Sequence, residues 1–140
     1  MDIDQHLGEI IRLRKLADQL PEDNPAALID KVFYLAKCLT YIGRLSSHFD
    51  GEYKRTYARR KYEQALAEKE AKPPRSANAE IAIKHIRDEE SQAYEYMNRW
   101  RNAFASTQEE IHALKLKMKI DFADGGADYV RIQSGPQARP

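Results

Sequence analysis

The chain has 140 residues, of which 42% are hydrophobic and 32% are charged, and this composition allows a thin apolar core within a single domain. A formal net charge of +1 excludes a whole-protein electrostatic attraction to nucleic acid or to an anionic membrane, so any such binding needs a local patch. The single cysteine, Cys38, excludes an internal disulfide and a cysteine-based metal site.

Residues 2–20 are predicted to form the first helix. Its apolar residues recur at spacings of three and four, which is the period of one helical face: Ile3, Leu7, Ile10, Leu13, Leu16 and Leu20. Asp2 or Asp4 can cap its start. Pro21 ends it, because proline cannot continue the backbone hydrogen-bond ladder.

A second helix is predicted over residues 25–71. Asn24 is a suitable N-cap, and Pro25 suits the first helical position. The apolar seam then alternates steps of four and three residues: Leu28, Val32, Leu35, Leu39, Ile42, Ser46, Phe49, Tyr53 and Thr56. Because this seam keeps its phase through Gly51, we expect one continuous helix, and a kink near Gly51 is left open.

A third helix is predicted over residues 76–122. Pro73–Pro74 ends the preceding helix, and Ser76 is expected to cap this one. The seam holds the same alternation, which is typical of a coiled coil: Ala79, Ile83, Ile86, Glu90, Ala93, Met97, Trp100, Phe104, Thr107, Ile111, Leu114 and Met118. Gly125–Gly126 is expected to break the helix, and residues 123–140 are predicted to be a short flexible tail.

Two long helices joined by a short proline-containing turn are expected to fold back on each other, because each has one apolar stripe to bury. The predicted fold is therefore all-α: a long antiparallel, coiled-coil-like helical hairpin with an additional N-terminal helix and a C-terminal tail, forming one domain over residues 1–140. With the turn near residue 74, position i on one arm faces roughly position 148 − i on the other.

The most distinctive local sequence is the basic–aromatic run, residues 53–62, which contains no acidic residue. Its candidate binding residues are Lys54, Arg55, Tyr57, Arg59, Arg60, Lys61 and Tyr62. Such a run can follow a phosphate backbone while its rings stack on bases. In the hairpin register, however, residues 59–61 face residues near 87–89, within the mostly acidic stretch Arg87–Asp88–Glu89–Glu90. We therefore favour a cross-hairpin charge match, which specifies register, over direct nucleic-acid binding.

Trp100 lies between Arg99 and Arg101, and these three residues complete the candidate partner-binding set. Tryptophan and arginine dominate the energetics of many protein interfaces. The simpler interpretation is that Trp100 is the largest residue of the seam. Both interpretations hold if a second copy of the chain shares the seam.

No sequence motif for catalysis or for a cofactor is present, and a thin hairpin offers no obvious deep pocket. Glu109 and His112 form one Glu-x-x-His pair, whereas a di-iron bundle needs two. Cys38 lies beside the seam and is expected to be a small buried hydrophobe. We expect a non-enzymatic protein with no metal or cofactor. Without a signal peptide or a long apolar segment, a cytoplasmic protein that does not enter membranes is expected.

Three segments resemble a class of small helical phage proteins: the basic–aromatic run, Ser76–Ala82 (SANAEIA) and Ile111–Lys115. The resemblance covers residues 45–122. Members of this class are uncharacterised and are often encoded near recombination and single-strand DNA-binding genes. The resemblance implies a phage or prophage protein of the host cytosol, and it implies no catalytic residues.

Three functional hypotheses follow. The first is a non-enzymatic interaction protein that binds and modulates a partner protein of nucleic-acid metabolism or host defence, for example by inhibiting a CRISPR nuclease or by assisting recombination. The second is a single-stranded nucleic-acid-binding accessory protein that uses residues 53–62. The third is a self-assembling structural protein, for example a homodimer.

Overall fold

The computed structural model describes the secondary structure of residues 1–138 and the side chains of residues 1–122. Its helices are α1 (Ile3–Asp18), α2 (Pro25–Glu70), α3 (Arg75–Ala82) and α4 (Lys84–Ala138). Over these residues there is no strand, so the all-α prediction is confirmed. Within the same part of the chain, no helix has both the length and the apolar character needed to cross a membrane.

The carboxyl end of α4 differs from the predicted helix end. The helix is assigned as far as Ala138, beyond the expected end near residue 122. The predicted flexible tail, residues 123–140, falls outside the residues whose side chains are described, so it stays a prediction.

Side-chain caps explain where the first two helices begin. The Asp2 carboxylate accepts a hydrogen bond from the Gln5 backbone N–H (3.0 Å), so Asp2 is the N-cap of α1. The Asn24 side-chain oxygen accepts a hydrogen bond from the Ala27 N–H (3.2 Å) at the start of α2. From there α2 continues without interruption through Gly51, as its unbroken seam predicted.

The predicted third helix is divided in two, which corrects the sequence-based boundary. Helix α3 ends at Ala82 and α4 begins at Lys84, with Ile83 between them in a non-helical conformation (φ −102°, ψ 12°). The apolar seam nevertheless stays in phase across this single residue: Ile83 is a seam position, and its side chain is buried. The cap prediction was wrong: Ser76 lies inside α3, and Pro74 occupies the N-cap position in extended conformation.

The chain forms two compact units, of which the first comprises Met1–Tyr41 and Ala105–Pro140. Residues of α1, α2 and α4 build its main buried cluster: Ala17, Leu28, Leu35, Ile111 and Leu114. The Arg14 guanidinium donates two hydrogen bonds to the Glu110 carboxylate, at 2.6 and 3.0 Å, which ties α1 to α4.

Cys38 belongs to the interior of this first unit, where it is 1% exposed. Its thiol lies 3.8 Å from the Ile10 carbonyl oxygen, to which it donates a weak hydrogen bond. Burial raises the pKa of the Cys38 thiol, which disfavours the reactive thiolate. The prediction of a buried, apolar cysteine is confirmed.

The second unit, Ile42–Phe104, contains the hairpin turn. Its buried apolar residues come from α2, α3, α4 and the Ile83 junction: Ile42, Leu45, Ala79, Ile83, Ile86 and Met97. A Cβ at Gly43 would lie 3.2 Å from the Phe104 ring, so the two arms approach closely there. Phe49 stacks on Trp100, and Arg59 pairs with Glu89. These contacts follow the predicted pairing of i with 148 − i to within one residue.

Candidate interaction surface

The basic–aromatic run, residues 53–62, is divided between two sides of α2. Successive residues on an α-helix turn by about 100°, so side chains five positions apart, such as Tyr57 and Tyr62, point about 140° apart. Arg59 pairs with Glu89 on the Tyr62 side, whereas Lys61 lies over the Tyr57 ring. The cations of the run therefore do not form one continuous surface.

Three tyrosines of the second unit pack together on the Tyr57 side. The centroid of the Tyr53 ring lies 6.2 Å from that of Tyr57 and 5.4 Å from that of Tyr94, on the opposite arm. Tyr57 is 36% exposed and Tyr94 is 50% exposed. Phenol rings combine a rigid apolar face with a polar edge, which suits residues that contact both solvent and a partner.

Two cations cover the Tyr57 ring. Lys61 Nζ lies 4.8 Å from the ring centroid, and the Arg60 guanidinium carbon lies 5.1 Å from it. Arg60 is half-buried and also donates to Glu90 (2.5 Å). Lys61 has no carboxylate partner among the residues whose side chains are described. Its charge is therefore not balanced locally.

Asp50 is shared by two cations on the same side. It pairs with Lys54 one helical turn away (3.0 Å) and with Arg101 across the hairpin. One carboxylate between two cations leaves one positive charge, and Lys61 adds another. We call the set of Tyr53, Tyr57, Tyr94, Lys54, Arg60, Lys61 and Arg101 the tyrosine–cation surface.

Hydrogen bonds from Lys54 and then Arg101 hold the pKa of Asp50 below its ordinary value of 3.8. A carboxylate whose pKa is depressed by folding stabilises the protein above the ordinary pKa, and this contribution is lost as pH falls through the folded-state value. Arg101→Met is therefore expected to move the titration midpoint of Asp50 upward, and with it the onset of acid destabilisation. The measurement is the carboxyl chemical shift of Asp50 by NMR as a function of pH.

Arg99→Met is the matched control for this titration. Arg99 lies two residues from Arg101 and thus points to another side of α4. It pairs with Glu95 (3.1 Å) and lies over the Tyr96 ring (5.4 Å). An equal change in the Asp50 midpoint in both variants would show that general charge, and not the Arg101 contact, sets the pKa.

The second side of the run carries cations that each have a carboxylate. Arg55 pairs with Glu52 (2.6 Å), and Arg59 pairs with Glu89. With the Arg60–Glu90 pair, the Arg59 pair confirms the predicted charge match across the hairpin. Asp88 does not join this match, because it pairs with Lys84 (3.1 Å) one turn away. Tyr62 is 66% exposed on this side.

Trp100 is a half-buried packing residue of the seam in the second unit. Its ring is stacked nearly parallel to that of Phe49, with 6.2 Å between centroids and 4° between planes. Arg99 and Arg101 flank it in sequence but project to different sides of α4, so the structure does not bring the three residues together as one patch.

Sequence inspection missed Tyr53 and Tyr94 as members of the surface, and it missed Asp50 as the carboxylate that two of its cations share. Tyr53 is part of the apolar seam, and both Asp50 and Tyr94 lie outside the basic–aromatic run. The hairpin register did contain a signal for Tyr94, because it places position 53 opposite position 95. No register argument could show that two cations share Asp50, because that depends on side-chain conformations.

The predicted absence of a metal site concerns mainly Glu109 and His112. Their side chains lie 3.9 Å apart on one exposed face of α4. Among the residues that the structure describes, no group of three or more histidine, cysteine, aspartate or glutamate side chains is placed to hold a metal ion.

No protein-family model matches the chain, and neither a curated protein nor a solved structure gives a significant match.

Proposed function

We propose that the protein is a non-enzymatic interaction protein that binds a partner protein through the tyrosine–cation surface. The observation that carries the proposal is the exposed pair Tyr57 and Tyr94 beside cations that outnumber their carboxylates. Tyrosine and arginine contribute most to binding energy at protein interfaces when they become desolvated. The clustered rings give contact area at a low cost in side-chain entropy, because Tyr53 already holds them in place.

The charge of the surface favours an acidic partner. Lys61 and the Lys54–Asp50–Arg101 group can each accept an additional carboxylate. Such complementary charges steer association and reject basic competitors. That the partner belongs to nucleic-acid metabolism or host defence, and that the chain is of phage origin, are proposals supported by the sequence resemblance alone.

Direct nucleic-acid binding is the less favoured function for two geometric reasons. A base that stacked on Tyr57 would have to displace Lys61 or Arg60 from its ring. Arg55 and Arg59 project to the second side and are already paired with carboxylates. Phosphate binding draws its strength from several cations that act on one backbone.

A photo-crosslinking amino acid at position 94 tests the proposal in expressing cells. We expect it to capture a discrete protein, whose purified form binds the chain. Tyr94→Ala should then raise the Kd about tenfold or more, which corresponds to a loss of at least ~1.4 kcal/mol of binding free energy. Tyr62→Ala is the control, because Tyr62 is more exposed and lies on the second side. Equal effects of the two variants would exclude the tyrosine–cation surface as the binding site.

Two further measurements separate the alternatives. A gel-shift titration with a single-stranded oligonucleotide would favour the nucleic-acid hypothesis if binding falls steeply with salt and is removed by Lys61→Glu. Light scattering over a range of protein concentrations would favour self-assembly if the mass rises above that of one chain and Tyr94→Ala prevents the rise. Either result would overturn the proposed partner-protein function.

A further inference from the structure

An open groove lies in the second unit between the carboxyl-terminal end of α2 and α3. Its volume is about 340 Å³. Most of its lining is apolar and much of it is alanine, and the remaining members are two glutamates and an asparagine: Glu63, Leu66, Ala67, Glu70, Ala71, Asn78, Ala82 and Ile83. This volume is at the lower end of the range for ligand pockets, roughly 300–1,000 Å³, so it suits one or two side chains of a peptide.

The apolar lining is accessible from solvent. Leu66 is 39% exposed although it faces the groove. Alanines at positions 67, 71 and 82 leave the space that larger side chains would fill. A leucine-sized side chain placed there would remove apolar surface from water on both partners.

The two charged side chains that line the groove, Glu63 and Glu70, are both carboxylates. Glu70 has no cationic partner among the residues whose side chains are described, while Glu63 lies 3.3 Å from His85 and 3.9 Å from Arg59. The groove also lies at the carboxyl end of α2, where the helix dipole adds negative potential. Lys69 is close in sequence but does not line the groove. The site therefore favours a positively charged ligand.

We infer that this groove binds a basic, amphipathic peptide segment of a partner protein. An apolar side chain of the segment enters between Ala67 and Ala82, and a flanking lysine or arginine pairs with Glu70 at the end of α2. This site is separate from the tyrosine–cation surface and has the opposite charge preference. The inference does not depend on the function proposed above.

The test uses the full chain and a short fluorescein-labelled peptide with the repeat Leu-Arg-Arg-Leu, measured by fluorescence anisotropy. We expect saturable binding that weakens when the leucines of the peptide are replaced by serine. Ala82→Phe, which fills the groove, and Glu70→Lys, which reverses the charge of a lining side chain, should each raise the Kd about tenfold, equivalent to ~1.4 kcal/mol.

Two matched variants control for charge and for bulk. Glu68→Lys makes the same charge change two residues away, at an exposed side chain that does not line the groove. Ala77→Phe adds the same ring at an exposed position of α3 outside the lining. Both should leave the Kd within about twofold. Absence of saturable binding, or equal weakening by Glu68→Lys and Glu70→Lys, would overturn the inference. The Tyr94→Ala variant should bind the peptide with an unchanged Kd, because Tyr94 does not line the groove. Peptide binding at the groove can therefore succeed or fail independently of partner binding at the tyrosine–cation surface.

Discussion

Replacing Ile86 with alanine is expected to lower the free energy of unfolding by about 2–5 kcal/mol. Ile86 is 0% exposed and lies in the core of the second unit, where α3 and α4 contribute successive seam residues. Truncation removes buried methyl and methylene groups and leaves a cavity that the surrounding helices fill only in part. Denaturant unfolding followed by far-UV circular dichroism measures this loss.

Ile81→Ala makes the same chemical change five residues earlier and serves as the control. Ile81 is 75% exposed, so its truncation forms no cavity. Alanine is also the better helix former. We therefore expect a change within ~0.5 kcal/mol. A loss as large as that of Ile86→Ala would contradict the burial pattern of this segment.

This contrast also shows why so much of the helical fold could be predicted. The four-three spacing distinguishes Ile86 from Ile81 without any structure, because only Ile86 lies in phase with Met97 and the other seam residues. The same phase argument identified Gly51 as an interior helical residue, although Asp50–Gly51 is a common turn signal. The spacing of apolar residues indicates which side of a helix is buried, and two helices with one apolar stripe each have few ways to pack.

Local features that leave the period unchanged could not be predicted. The interruption at Ile83 occupies one residue on the seam itself, so the apolar spacing gives no sign of it. Serine is a favoured residue type at N-caps, which is why Ser76 was expected to cap the helix. The extended backbone of Pro74 makes Pro74 the N-cap instead, and α3 begins at Arg75. A cap depends on backbone angles at one position, which residue type limits but does not determine.

The candidate surface was predictable in part. The register placed Arg59 opposite Glu89, which the structure shows, and it placed Arg60 opposite Asp88, whereas Arg60 pairs with Glu90 two residues further on. The helical period could also have shown that Tyr57 and Tyr62 point to different sides. The groove near Ala82 left no signal, because alanines are common in any helix and the space between them appears only after packing.

Arg60→Ala is expected to lower the free energy of unfolding by about 1–3 kcal/mol, because it removes the partner of a largely buried carboxylate. The side chains of Arg60 and Glu90 are 13% and 18% exposed, and Arg60 Nε donates to Glu90 at 2.5 Å. Without Arg60, Glu90 keeps its buried position and loses this charge-assisted hydrogen bond. Arg60 also donates to Gln64 (2.8 Å) and covers the Tyr57 ring. Thermal and denaturant unfolding of the variant measure the loss.

Arg59→Ala is the matched comparison, because the adjacent pair Arg59–Glu89 also crosses the hairpin but both side chains are 52% exposed. Water screens that pair, so we expect a loss below ~1 kcal/mol. Exchanging the charges, with Arg60→Glu and Glu90→Arg together, should recover part of the Arg60→Ala loss. Equal losses for Arg60→Ala and Arg59→Ala would refute the expectation that the less exposed ion pair contributes more to stability. A slipped hairpin that left Arg60 and Glu90 half-buried without each other would carry the cost of two unpaired charges, so this pair favours the native register.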